Sequence, residues 1–202
     1  MIYIDPKKNT EKQNYKLMIG SIIPRPIAFV TTQSNDGIVN GAPFSYFNIV
    51  TSNPPMISLS IQRSNGKMKD TALNILKNKE FVVHSVERGN VEKINQTAAS
   101  LPFEESEITF ASLTLINSSV VKVPGIINAK VRMECVLEKA IEIDENNQVT
   151  TDLIIGRVVA FHIDEDIYED GKINPIKFDA ISRLAGQSYA TIGEIFEHER
   201  PR

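Results

Sequence analysis

The chain has 202 residues, a length that fits one domain, and it can bury roughly 70% of its unfolded surface without a disulfide or metal to help it fold. Lys plus Arg is 22 against 25 Asp plus Glu, a net charge of −3 that excludes a general nucleic-acid coat built on phosphate neutralisation. The one cysteine, Cys135, excludes an internal disulfide framework and a Cys-rich metal site, and fits a reducing cytoplasm. MIYIDPKKNT holds no apolar signal core, and the apolar run from Leu153 to Ile163 is too short to span a bilayer, so a soluble, cytoplasmic protein is expected.

β-Branched residues dominate the apolar inventory, with 27 Ile and 15 Val against 10 Leu, which favours pleated, half-buried surfaces. In chain order, residues 10–19 predict a short helix ending at Gly20, and Pro26–Thr32 predicts a strand turning at Ser34-Asn35-Asp36-Gly37. GAPFSYFNIVTSNPP (41–55) is too apolar for a linker and too broken by Gly, Pro, Ser and Asn for a regular element, and reads as a half-buried functional loop. Met56–Gln62 alternates as a strand, and 63–69 is a polar loop. Asp70–Asn78 predicts a helix with Ala72, Ile75 and Leu76 on one face and Asp70 or Thr71 as cap.

Glu80–Val86 predicts a strand and Asn90–Ala98 a second helix. Residues 112–123, 126–143 and 153–163 read as strands, with turns at 144–148 and 169–171. From Ala129 to Leu137 the odd positions are apolar, while Lys130, Arg132, Glu134 and Glu138 hold even ones, a strand with one buried face and Cys135 on it. Many strands with helices between some of them imply a β-barrel core carrying peripheral helices.

Catalytic signatures of several common kinds are missing. No dinucleotide or P-loop glycine pattern is present, Gly186-Gln187-Ser188-Tyr189-Ala190 lacks the last glycine of a nucleophile elbow, and His84, His162 and His198 have no metal-ligand spacing. Two adjacent loops carry the positive signals. Arg63, Lys67 and Lys69, beside Ser64, Asn65 and Gly66, run into the N-terminus of the 70–78 helix, where free N–H groups suit a phosphate. Loop 41–55 offers Ser45, Thr51 and Ser52, the amides Asn48 and Asn53, and the aromatics Tyr46 and Phe47, which can wrap a flat heteroaromatic ring. A ring tied to a phosphate is a nucleotide or flavin mononucleotide; a solvated turn beside a packed loop is the plainer alternative.

PRPIAFVTT (24–32), N-x-APFSYFN (40–48), S-x-PP (52–55), K-D-T-x-x-N-I (69–75), EFVV (80–83), GRVVAFHID (156–164), DGKIN (170–174) and SRLAGQSYA (182–190) follow one another in the chain. Together they resemble the flavin reductase-like, FMN-binding split-barrel family, over about residues 10–196 of a single 1–202 domain. The resemblance implies a mainly β fold with peripheral helices, a split β-barrel of Greek-key type, and a homodimer with FMN near the subunit interface. It implies no catalytic side chain and no metal, because the flavin carries the chemistry.

It also implies that Ser45, Tyr46, Phe47 and Asn48 line the isoalloxazine, flanked by Ser52 and approached by Thr31. Arg63, Ser64, Lys69 and Thr71 would hold the phosphate end, with Asp70 ordering the helix, while Arg183 and Tyr189 border the site from this chain or a second subunit. The implied activity is NAD(P)H:flavin reduction, with a hydride passing from nicotinamide C4 to flavin N5 and reduced flavin or electrons going on to a monooxygenase or redox-protein partner. FMN is expected rather than FAD. A flavoredoxin-like FMN electron carrier and a non-catalytic binding module on the same fold are the alternatives. Ala185 stands at the first of two usual glycines, His84 stands where Asn is common, and the Gly-Asp-His signature of the short reductases is absent.

Overall fold

The computed structural model describes residues 1–201. After a 3-10 turn at Pro6–Lys8, helix α1 (Glu11–Ser21) opens with a capping box, in which Thr10 and Gln13 bond reciprocally. The chain continues through β1 (Arg25–Pro26), β2 (Ala28–Gln33), β3 (Val39–Phe44), β4 (Phe47–Ser52) and β5 (Pro55–Gln62). Then come α2 (Asp70–Asn78), β6 (Glu80–His84), α3 (Val91–Gln96), α4 (Glu107–Phe110), β7 (Leu115–Ile116) and β8 (Gly125–Ile126). The long hairpin β9 (Val131–Glu145) and β10 (Gln148–Ile163) leads to β11 (Tyr168–Glu169), β12 (Lys172–Ile173), α5 (Pro175–Phe178), β13 (Ile181–Arg183) and β14 (Tyr189–Thr191). None of the helices among the described residues is long and apolar enough to cross a membrane.

Seven strands form one antiparallel sheet in the order β3-β2-β6-β9-β10-β5-β4, and β1, β13 and β14 form a second of three. The β9–β10 pairing shifts register at three places along its length, and each bulge adds twist that lets the sheet coil. Ala28 and Val30 of β2 face a cluster with Leu59, Phe81 and Ile154, plugged by Ala72 and Ile75 of α2. Phe29 faces the other way, into a cluster with Ile94, Ile108, Ile126 and Ile181. Strand β2 is therefore buried on both faces, which explains its uninterrupted apolar run. The expected mainly β architecture with peripheral helices is what the chain adopts.

Four local expectations are corrected. Residues 41–55 are strands rather than one irregular loop, with only Ser45-Tyr46 and Asn53-Pro54 as links. Pro43 is tolerated because β3 is an edge strand, as β4 is at the far side, and Gly41 makes room for Ile108 and the Phe29 ring, which would stand 2.6 and 2.7 Å from a Cβ there. Most of 112–123 is not a strand beyond Leu115–Ile116, because its N–H groups go to carboxylates: Ser119, Val120 and Val121 donate to Glu134, and Lys122 to Glu80. That loop buries Glu134 to 1% exposure on the face expected to be solvated. Finally, neither Asp70 nor Thr71 caps α2; Lys69 takes the N-cap position without a side-chain bond, and the Thr71 hydroxyl donates to Asn40 Oδ1 at 3.0 Å. Cys135 is buried in its strand, as expected.

Candidate flavin site

Three adjoining hollows run along the link between β3 and β4. The middle one, about 300 Å³, is walled by Ser45, Tyr46, Gln62 and Lys69 on one side and by α3 and the Arg183–Tyr189 segment on the other. Arg25, Ser45, Tyr46, Ser60 and Gln62 also wall a larger cleft of about 890 Å³, which Phe47, Asn48 and the Tyr15–Met18 face of α1 complete. Phe44 and Lys69 adjoin the third hollow, about 430 Å³, formed by Ser64–Thr71 and Thr97–Leu101 with Glu107 at its base.

The link itself is held rigidly. Ser60 N–H donates to the Tyr46 carbonyl at 2.9 Å, and Arg25 Nε donates to Ser45 Oγ at 3.4 Å. Burial pushes the Tyr46 hydroxyl pKa up, with Tyr15 adding to the rise and the Arg25 charge opposing it. At the opposite end, Lys69 Nζ lies 5.8 Å from the Phe44 ring centre, and the first-turn N–H groups of α2 are left without a side-chain cap. Lys67 and Lys69 face the acids Asp70 and Glu107 there. Burial raises the carboxyl pKa of both acids, with Glu104 adding to the rise at Asp70 and Asp70 adding to it at Glu107. Asn74 is not a contact residue of the hollow; it donates to Thr32 Oγ1 at 3.2 Å within a buried network that includes Asn40, Thr71 and Glu107.

A planar ring beside Ser45–Tyr46 and an anionic tail at the uncapped N-terminus of α2 fit this run of hollows. Among the described residues no cluster of His, Cys, Asp or Glu could hold a metal.

Most of the residues singled out in the sequence are brought together. Ser45 and Tyr46 stand at the centre, Phe47 and Asn48 in the large cleft, Ser64, Lys69, Asp70 and Thr71 in the third hollow, and Arg183 and Tyr189 in the middle one. The last two come from this chain itself; Arg183 stacks 4.4 Å over the Tyr189 ring, whose hydroxyl donates to Asn95 Oδ1 at 2.8 Å.

Three of the residues singled out lie away from the hollows. Arg63 lines none of the hollows: its Nε and Nη2 grip Asp152 at 2.9 and 2.7 Å, and Nη2 also meets Glu142 at 2.6 Å. Thr31 is fully buried in β2 and lines none of the hollows; its hydroxyl donates to the Pro124 carbonyl at 2.7 Å. Ser52 sits exposed at the end of β4, paired with Pro55.

Arg25, in the Pro24-Arg25-Pro26 segment, carries no signal of its role in the sequence; its burial to 6% exposure is invisible without the contacts from Ile19, Ile22 and Leu184. Tyr15, Ser60, Gln62 and Asn95 carried no distinguishing signal.

Comparison with known proteins gives the family and the fold. An uncharacterised protein of Bacillus subtilis strain 168, YwrF, is 52% identical over 193 residues, 94% of each chain. The structure of nitrilotriacetate monooxygenase component B from Bacillus cereus superimposes with a TM-score of 0.96 at 54% identity, covering 98% of both chains. That of the Pseudomonas fluorescens 2-nitrobenzoate 2-nitroreductase NbaA gives 0.89 at 28% identity, over 99% of this chain and 96% of the other. The family described as the flavin reductase like domain matches residues 19–177, and the open barrel is the split barrel of flavin reductases. The chain belongs to the flavin reductase-like family.

Proposed function

We propose that the chain is an FMN-binding, NAD(P)H-dependent flavin reductase that supplies reduced flavin or electrons to a monooxygenase or other redox partner. The run of three hollows that joins Ser45–Tyr46 to Lys69 and the α2 N-terminus carries this reading, because it matches a flat ring with a phosphate tail. Bound flavin would supply the redox chemistry, taking a hydride at N5 from nicotinamide C4. The protein's part is positional. Ser45 and Tyr46 offer main-chain and hydroxyl groups to the ring, Lys67, Lys69 and the amides of Asp70 and Thr71 hold the phosphate, and the Arg183–Tyr189 segment shields the middle hollow from water. The likeness to component B of a monooxygenase supports a monooxygenase partner.

We place the working form in the cytoplasm as a homodimer. Ile49 and Val50 stand 75% and 47% exposed on the edge strand β4, apolar side chains that suit a second copy. Anaerobic mixing of FMN-loaded protein with NADH and then NADPH tests the reductase reading. Rapid bleaching of the flavin band with one of them is expected; no bleaching with either would reduce the chain to an electron carrier.

A further inference from the structure

Arg25 is the most buried arginine of the site, 6% exposed, and it walls both the middle hollow and the large cleft. Its guanidinium donates from Nη1 to the carbonyls of Ile19 and Ile22 at 2.7 and 2.8 Å, from Nη2 to that of Leu184 at 2.8 Å, and from Nε to Ser45 Oγ at 3.4 Å. These bonds engage four of the five N–H groups an arginine carries, so one remains.

The charge is unmatched. Arg63, Arg88 and Arg157 each meet a carboxylate, but among the described residues none lies within 4.0 Å of Arg25. Burial of a cation without a counter-ion is costly and calls for a nearby anion or a field that offsets it. The C-terminus of α1 offers part of that through the two Nη1 bonds. Capping α1 leaves Nε and Nη2 to Ser45 and Leu184, two residues that line the middle hollow beside Arg25 itself. The same charge acts on the Tyr46 hydroxyl across the link.

A neutral flavin ring that accepts a hydride takes up one proton with two electrons and so gains one negative charge. We propose that the Arg25 guanidinium, fixed between Ser45 and Leu184, supplies the positive charge that stabilises the ring when it becomes negative. This rests on the reading that the ring occupies the hollows beside Ser45–Tyr46. A fixed, desolvated cation costs no reorganisation when charge develops, so it favours the reduced over the oxidised ligand and raises the potential of the bound flavin.

The test begins with titration of the full chain with oxidised FMN, followed by its midpoint potential in the wild type, R25Q and R25K. Absence of FMN binding by the wild type would defeat the site reading itself, and with it this inference. Given binding, R25Q is expected to cut the ratio of reduced to oxidised FMN affinity about tenfold, which lowers the midpoint potential by about 30 mV. R25K, which keeps the charge, should stay nearer the wild type. The ratio is insensitive to an equal loss of both affinities, so a purely structural role of Arg25 would leave it unmoved. An unchanged potential in R25Q would overturn the proposal. Should R25Q not fold, the wild type alone decides: FMN must bind more tightly after reduction than before it, and equal or weaker binding would refute the charge assignment.

Discussion

Arg63 and Asp152 lie 89 residues apart and meet through two hydrogen bonds of 2.9 and 2.7 Å, pinning the end of β5 to the β9–β10 hairpin. The pair is largely out of water, with side-chain exposures of 12% and 3%. The Asp152 bond holds the Arg63 guanidinium charged more firmly than usual, against burial. Arg63→Ala is therefore expected to lower the melting temperature, because it strands the Asp152 carboxylate, while FMN affinity changes by no more than about twofold. Thermal melts and FMN titrations of the same sample check this; a large affinity loss with an unchanged melt would return Arg63 to the phosphate.

Lys69 should behave in the opposite way. Removing a charge-assisted bond to phosphate is worth about 1.5–3 kcal/mol, so Lys69→Ala should weaken FMN roughly 10- to 100-fold. Riboflavin, which lacks the phosphate, should bind the variant and the wild type alike in calorimetric titrations. Equal losses for both ligands would remove Lys69 from the phosphate end.

Acid sensitivity follows from two buried groups. Burial drives the His84 imidazole down to about 3, with the Arg132 charge adding to the fall and the Phe29 carbonyl opposing it. Its Nδ1 meets the Phe29 carbonyl at 3.0 Å and its Nε2 accepts from Ile126 N–H at 3.0 Å, an arrangement only the neutral ring can keep. Burial pushes the Glu134 carboxyl up, but the N–H groups of Ser119, Val121 and Val120 together with His162 outweigh it and hold it at about 2. Both folded-state values lie below the ordinary 6.5 and 4.5, so at each of these two groups the folded chain binds fewer protons than the unfolded one, whereas the raised carboxyls of Asp70, Glu87 and Glu107 act in the opposite sense. His84's contribution is complete above pH 6.5 and is lost as pH falls toward 3; that of Glu134 is complete above 4.5 and is lost toward 2. Melting temperature should fall progressively below pH 6.5 and more steeply below 4.5. A flat profile between pH 7 and 5 would contradict the His84 assignment.

Two glycines predict opposite signs. A Cβ on Gly156 of β10 would stand 2.3 Å from the Phe81 ring in the barrel core, so Gly156→Ala should cost about 1–3 kcal/mol in urea unfolding. Gly20 lies in α1 with nothing within 4 Å of an added Cβ, and Gly20→Ala should stabilise by about 0.4–1 kcal/mol.

Elements whose signals are local could be read from the sequence. Thr10 and Gln13 mark the start of α1, Asp36-Gly37 marks the β2–β3 turn with Gly37 at a φ of +85°, and the spacing of Ala72 and Ile75 marks α2. Contacts between distant residues could not be read. Glu134 obeys its alternation and still ends buried, because three amides of 119–121 fold over it. The charge of Arg63 resembles that of its neighbours Lys67 and Lys69 until Asp152 arrives from β10. The strands β3 and β4 were hidden by Gly41, by Pro43, which an edge strand accepts, and by Asn53-Pro54, which forms the link after β4.

On the proposed reading, the hollows along Ser45–Tyr46 and Lys69 hold FMN. The visible spectrum of the purified protein, taken before and after addition of FMN, with chromatography of what acid releases, tests it most directly. A two-band flavin spectrum that travels with the protein and yields FMN is the predicted result. A protein that stays colourless and retains no added FMN would contradict it, leaving the split barrel as a binding module of another kind.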